Sequence, residues 1–225
     1  MHERMFAGYP ACVLRYDSGV AMEVVIVDYG MGNLRSVRNA FNALGSSVEV
    51  SNNPKDLRKA KRVVLPGVGA FGDGIKNLRN NGWIDALEEE VRVRAKPFIG
   101  ICLGMQLLGT SSTEYGIHTG LNWVPGIVER LSSEDSAIRI PHIGWNDVIF
   151  VNKEGLYADL ADSETFYFVH SYVLNPEDKS SVSGFCSYGM EFTASVEMDN
   201  ICATQYHPEK SQKIGLKVLE NFLRM

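Results

Sequence analysis

The chain has 225 residues, 45% hydrophobic and 22% charged, the balance of one soluble domain with a single core. Its 27 acidic against 22 basic residues leave a net charge of −5, and its longest basic cluster is the short run 58–62, so nucleic-acid binding has no electrostatic footing. No apolar stretch nears the ~20 residues that span a bilayer, and cysteines at 12, 102, 186 and 202 show neither zinc-site nor disulfide-scaffold spacing, which points to a reducing cytoplasm and to no metal or cofactor.

Residues 1–21 stand apart. They mix Arg4 and Arg15 with Glu3 and Asp17 and lack a continuous apolar core, so they are expected to be a disordered leader or over-extended start rather than a targeting peptide. A single domain, 22–225, follows. A buried strand is predicted at 24–27, then a helix over 34–44 that Asn33 caps and Gly45 stops. Further strands at 48–50, 63–65 and 98–101 alternate with helical stretches near 54–60, 74–81 and 84–95, and the basic run 58–62 is expected to end a solvated helix. This alternation predicts an α/β fold, a mostly parallel central sheet with helices on both faces. From 122 to 206 the pattern turns strand-rich, including 166–169 and 201–205, which predicts an antiparallel extension before a closing amphipathic helix at 212–224.

The chemistry concentrates in three segments. In Lys96-Pro97-Phe98-Ile99-Gly100-Ile101-Cys102-Leu103-Gly104-Met105-Gln106 an apolar run stops at a cysteine bracketed by glycines and restarts as a helix. That is the pattern of a nucleophile elbow: Gly100 and Gly104 leave room for a sharp strand-to-helix turn, and the helix N-terminus favours thiolate. The alternative is a buried structural cysteine. In Thr204-Gln205-Tyr206-His207-Pro208-Glu209 an imidazole and a carboxylate lie two positions apart, on one side of an extended chain, so Glu209 can orient His207. The bland alternative is a surface turn. In Val63-Val64-Leu65-Pro66-Gly67-Val68-Gly69-Ala70-Phe71 a strand runs into a glycine-rich loop. One amide from Gly67, Val68 or Gly69, with that of Leu103, makes an oxyanion-binding pair. A phosphate loop fits poorly, because no Gly-Lys-Ser/Thr follows.

These segments, in this order, resemble the class I glutamine amidotransferases, whose Cys-His-Glu triad hydrolyses glutamine to glutamate and ammonia. Val27-Asp28-Tyr29-Gly30-Met31-Gly32-Asn33-Leu34, Pro66-Gly67-Val68-Gly69-Ala70-Phe71, Pro141-His142-Ile143-Gly144-Trp145-Asn146 and Tyr167-Phe168-Val169-His170-Ser171-Tyr172 are similar to the glutaminase subunits of imidazole glycerol phosphate synthase in histidine biosynthesis. The resemblance covers about 22–225 and implies a class I glutamine amidotransferase fold. It also implies that Cys102 is the nucleophile, His207 the acid and base, and Glu209 its orienter. Gln106 and Glu114 match positions that hold the substrate's α-amino and carboxylate groups, and Ser171 and Tyr172 match positions whose backbone helps bind L-glutamine. Trp145, Tyr167 and Lys210 match the face that docks a separate (β/α)8-barrel cyclase in a heterodimer. That cyclase uses the ammonia to make imidazole glycerol phosphate and aminoimidazole carboxamide ribonucleotide.

Each of these side chains also has a plainer reading. Glu114 reads as an exposed helix-end charge, Trp145 as a core residue, Tyr167 as a strand residue and Lys210 as a solvated cation, here expected to pair with Glu209. Two other functions stand beside the glutaminase subunit: a stand-alone hydrolase with the same triad, and a silent binding relative. Gln106 and Glu114 speak against the first, and the complete triad against the second.

Overall fold

The computed structural model describes residues 22–133, 135–151 and 153–225, so the expected leader lies outside the described residues. The N-terminal half runs β1 (Met22–Val27), α1 (Leu34–Ala43), β2 (Val48–Ser51), β3 (Ala60–Gly67), α2 (Phe71–Asn80), α3 (Trp83–Leu87), β4 (Phe98–Cys102) and α4 (Leu103–Gln106). Short strands β5 (Ser111–Ser112), β6 (His118–Thr119) and β7 (Gly126–Arg130) follow. The rest is β8 (His142–Phe150), β9 (Ser163–His170), β10 (Tyr172–Pro176), β11 (Val182–Ser187), β12 (Glu191–Met198), β13 (Ile201–Thr204) and α5 (Gln212–Arg224).

Nine strands form one sheet in the order β2-β1-β3-β4-β13-β12-β11-β8-β9. From β2 to β13 every neighbour is parallel, and from β13 to β9 every neighbour is antiparallel. Strand β1 explains the expected apolar run: both of its faces are covered, so alternation of polar and apolar residues disappears. Val24 and Ile26 pack with Phe41 of α1 and Leu219 and Phe222 of α5, whereas Val25 and Val27 pack with Ile75 and Leu78 of α2 and Trp83 of α3. Helices therefore cover both faces, as the alternation predicts. Asn33 caps α1 through Ser36 N, and Gly45 leaves the helix at φ +77°.

The structure departs from expectation in three places. The stretch near 54–60 is a 3₁₀ turn, Pro54–Lys59, and the basic run continues into β3, where Lys61 and Arg62 both pair with Glu23 of β1. That run thus crosses a turn and a strand instead of closing a solvated helix. The stretch 84–95 divides into α3 and a π-helical turn, Glu88–Val93. A second sheet, β10-β7-β5-β6, was not foreseen from the pattern, because two of its strands are only two residues long. It sits beside the C-terminal ends of the parallel strands and carries Glu114 and Tyr172 to the site.

Candidate active site

Strand β4 is buried along its length and ends at Cys102, whose φ of +55° is a left-handed conformation that non-glycine residues seldom adopt. The glycines on either side are sterically required. A Cβ at Gly100 would stand 2.8 Å from the Gly104 carbonyl oxygen, and one at Gly104 would collide with the Leu65 carbonyl. The sharp strand-to-helix turn expected around Cys102 is therefore present. The helix after it is shorter than expected, because α4 is one turn, and a single turn carries little of the summed dipole. Close to the sulfur are instead a side-chain donor, Gln205 Nε2 at 3.7 Å, and the Val169 carbonyl at 4.0 Å.

His207 and Glu209 meet as the tripeptide predicts, for a different reason. The chain leaves β13, and Pro208–Lys210 form a 3₁₀ turn that brings Glu209 round under the ring. His207 Nδ1 donates to Glu209 Oε1 at 2.8 Å, with both side chains almost fully buried. Burial alone would lower the basicity of His207, but the Cys102 sulfur and the Glu209 carboxylate outweigh it and push the ring up to about 10. The other ring nitrogen, Nε2, is buried and lacks a well-formed hydrogen bond among the described residues, while the ring interacts with the Cys102 sulfur.

Cys102 opens into a cavity of about 400 Å³ lined by Val68, Gly69, Leu103, Gln106, Glu114 and the segment 169–172, with Lys210 at its edge. Of the glycine-loop residues, Val68 and Gly69 reach this cavity. Gly67 stands behind it, paired in register with Cys102 and packed on the Tyr29 hydroxyl and Leu103. Gly69 has a φ of +110°, a value that favours glycine. Glu114 is not an exposed helix-end charge. It is buried in a turn after β5 and accepts the Phe71 N–H at 2.7 Å, capping α2, whose own N-cap residue Ala70 has no side-chain acceptor. Gln106 Nε2 donates to the Tyr172 carbonyl at 2.8 Å and to Gln205 Oε1 at 3.0 Å. The Ser171 carbonyl accepts from Leu131 N, so side chains and backbone of this wall are held before any ligand arrives.

Trp145 is 47% exposed on β8 rather than buried in the core. It stands edge-on to Tyr167, its register partner on β9, with ring centres 5.9 Å apart. Lys210 does not pair with Glu209. Its Nζ lies over the Tyr167 ring, 5.7 Å from the centre, because the 3₁₀ turn aims consecutive side chains in different directions and only Glu209 points inward. Ile143 and Ile149 extend this exposed apolar row along β8.

Sequence reading missed the polar groups that tie these parts together. Ser211 Oγ donates to the His207 carbonyl at 2.6 Å and accepts the Tyr167 N–H at 3.0 Å. His170 Nδ1 donates to the Tyr172 carbonyl at 3.0 Å, and its Nε2 faces His142 Nδ1 at 3.1 Å. Burial lowers His142 to about 4 and His170 to about 3, so this pair is neutral. The only available signal was that His142, His170 and Gln205 lie inside the quoted motifs. Among the described residues no group of three or more His, Cys, Asp or Glu side chains is arranged to hold a metal ion, and no helix is long and apolar enough to cross a membrane.

A family model described as glutamine amidotransferase class-I matches residues 25–225. The imidazole glycerol phosphate synthase subunit HisH of Geobacter sulfurreducens is 44% identical over 207 residues, covering 90% of this chain and 99% of the relative. The same subunit from Aquifex aeolicus is 48% identical over 204 residues, covering 90% and 97%. Among solved structures, a glutamine amidotransferase superposes with a TM-score of 0.70 at 20% identity, covering 89% of this chain and 97% of the other. PurLQS from Thermotoga maritima gives 0.70 at 20%, covering 91% and 98%. At that identity the structures speak for the fold alone.

Proposed function

This chain belongs to the class I glutamine amidotransferases and, within them, to the HisH subunits of imidazole glycerol phosphate synthase, and from that membership we propose that Cys102, His207 and Glu209 are its glutaminase triad. The activity is hydrolysis of glutamine to glutamate and ammonia in histidine biosynthesis. One observation carries the assignment of residues: the buried His207–Glu209 hydrogen bond of 2.8 Å, beside a cysteine held at φ +55° over a cavity.

In this reading the Cys102 thiolate attacks the γ-amide carbon of L-glutamine. The oxyanion is held by the Leu103 N–H and by one N–H of Val68 or Gly69, the loop residues that reach the cavity. His207 gives its proton to the amide nitrogen as the carbon–nitrogen bond breaks, and ammonia leaves. Water then attacks the thioester, with His207 taking the water's proton and returning it to sulfur. Glu209 keeps Nδ1 protonated and stabilises the imidazolium. Glu114 faces the substrate ammonium with its carboxylate, Gln106 helps hold the α-amino and carboxylate end of the substrate, and Ser171 and Tyr172 supply backbone.

The ammonia passes to a separate (β/α)8-barrel cyclase of the HisF type, forming a heterodimer in the cytoplasm. Trp145, Tyr167 and Lys210 form the docking face, since they cluster beside the cavity mouth and β8 bears an exposed apolar row there. The free Cys102, Cys186 and Cys202 fit a reducing compartment. Glutamate release from free glutamine, measured with and without a barrel partner, tests the whole proposal. Equal turnover in both conditions would contradict the partner, and absence of glutamate in both would contradict the triad.

A further inference from the structure

We infer that Gln205 is a further catalytic residue of this centre, its side-chain amide donating to the Cys102 sulfur and holding it toward His207 as the anion. The inference rests on the reading of Cys102 as nucleophile.

The orientation of this amide follows from a single backbone atom. The Tyr172 carbonyl oxygen can only accept, so the Gln106 atom 2.8 Å away is its nitrogen. That nitrogen's second proton points to Gln205 at 3.0 Å, so the Gln205 atom facing Gln106 is its oxygen. The remaining Gln205 atom, which faces the sulfur at 3.7 Å, is then the NH₂ group. An amide nitrogen is a donor only, so this contact favours the thiolate over the thiol. Position follows from topology: Gln205 is the residue after β13, and β13 lies beside β4 with Thr204 opposite Ile101, which sets Gln205 level with Cys102. The Gln205 backbone N–H is bonded to the Ala194 carbonyl at 2.8 Å and the residue is wholly buried, so no water competes for the contact. With α4 reduced to one turn, this donor replaces much of what a longer helix would have supplied.

Two variants separate donation from simple packing. Gln205→Met keeps roughly the volume and removes both polar atoms. Gln205→Glu keeps an oxygen for Gln106 and replaces the donor with an acceptor. Each is assayed in the full chain bound to its barrel partner, by glutamate release and by the rate at which iodoacetamide labels Cys102 across pH, with thermal melting as a check on folding. The titratable groups around the sulfur, His207 with Glu209 behind it, Tyr29, His170, Glu114 and Lys210, are unchanged in both.

We expect kcat and neutral-pH labelling to fall roughly tenfold or more in both variants, with KM changed far less and labelling regained at higher pH, because a hydrogen bond to a charged group is worth about one power of ten. Gln205→Glu falls at least as far as Gln205→Met, since it places an acceptor against the anion. A Gln205→Glu enzyme with wild-type kcat and labelling would overturn the inference and leave Gln205 a support for Gln106. Cys102→Ala, run alongside, keeps the two readings apart: residual glutaminase activity there would defeat the nucleophile assignment itself.

Discussion

The carbonyl oxygen of Tyr167 accepts the backbone N–H of His207 at 2.9 Å, so the exposed aromatic face on β8 and β9 is one hydrogen bond from the proposed catalytic base. Ser211 repeats the link from the other side, bonding both the Tyr167 N–H and the His207 carbonyl. A load on Tyr167 therefore reaches His207 through backbone alone.

That connection makes the docking face testable apart from the chemistry. Trp145→Ala should weaken binding of the barrel partner by about 2 kcal/mol, roughly thirtyfold in Kd, as removal of a central aromatic anchor does. Lys210→Ala should reduce stimulation by the partner while leaving the thermal melt of the isolated chain unchanged, because its contact is the partly solvated Tyr167 ring. Titration calorimetry for the first and glutamate release for the second decide the matter; unaltered affinity and stimulation would move the interface elsewhere.

Cys102→Ala should abolish glutamine hydrolysis while the assembled enzyme still forms product from added ammonium salt. The sulfur serves only the first half-reaction, and loss of a covalent catalyst costs several orders of magnitude. More than a tenth of wild-type glutaminase activity in this variant is incompatible with the role.

The elbow predicts a contrast between two glycine substitutions. Gly104→Ala drives a Cβ into the Leu65 carbonyl inside a packed core and should cost about 3 kcal/mol or more. Gly45→Ala meets nothing within 4 Å and bears only its φ of +77°, a cost of about 1 kcal/mol. Urea denaturation measures both, and equal losses would contradict the steric account of the elbow.

Stability should fall on both sides of neutrality. His142 and His170 are lowered to about 4 and about 3, so the unfolded chain takes up their protons first, and the stability they contribute above about pH 6.5 is lost as pH falls toward 4. Glu197, raised to about 7 by burial, works the other way, since its burial cost is relieved over the same acid range. Two groups outweigh one. On the alkaline side, His207 is raised to about 10, so its contribution is complete below about pH 6.5 and lost as pH climbs toward 10. Unfolding free energy measured against pH should peak near neutral, and Glu197→Gln should steepen the acid limb by removing the offset. A flat profile from pH 7 to 4 would refute the neutral histidine pair.

Much of this protein was legible one segment at a time. Gly100 and Gly104 around Cys102, the run of three valines and one isoleucine in β1, the Asn33 and Gly45 ends of α1 and the His207-Pro208-Glu209 tripeptide all act through neighbours a few residues away, where bond geometry and steric exclusion leave few choices. What depended on the assembled sheet was invisible until the strands were in register. Gln205 reaches a sulfur 103 positions earlier, and His142 reaches His170 across 28. Glu114 became the buried cap of α2 only because a two-residue strand carried it there, and Lys210 left Glu209 for Tyr167 because a turn of the chain pointed it outward. Sequence alone determined the reactive groups and the sharp turns that present them. The tertiary structure decided which polar atoms face those groups, because a hydrogen bond needs its partners placed within a few tenths of an ångström and no local pattern specifies that across a hundred residues.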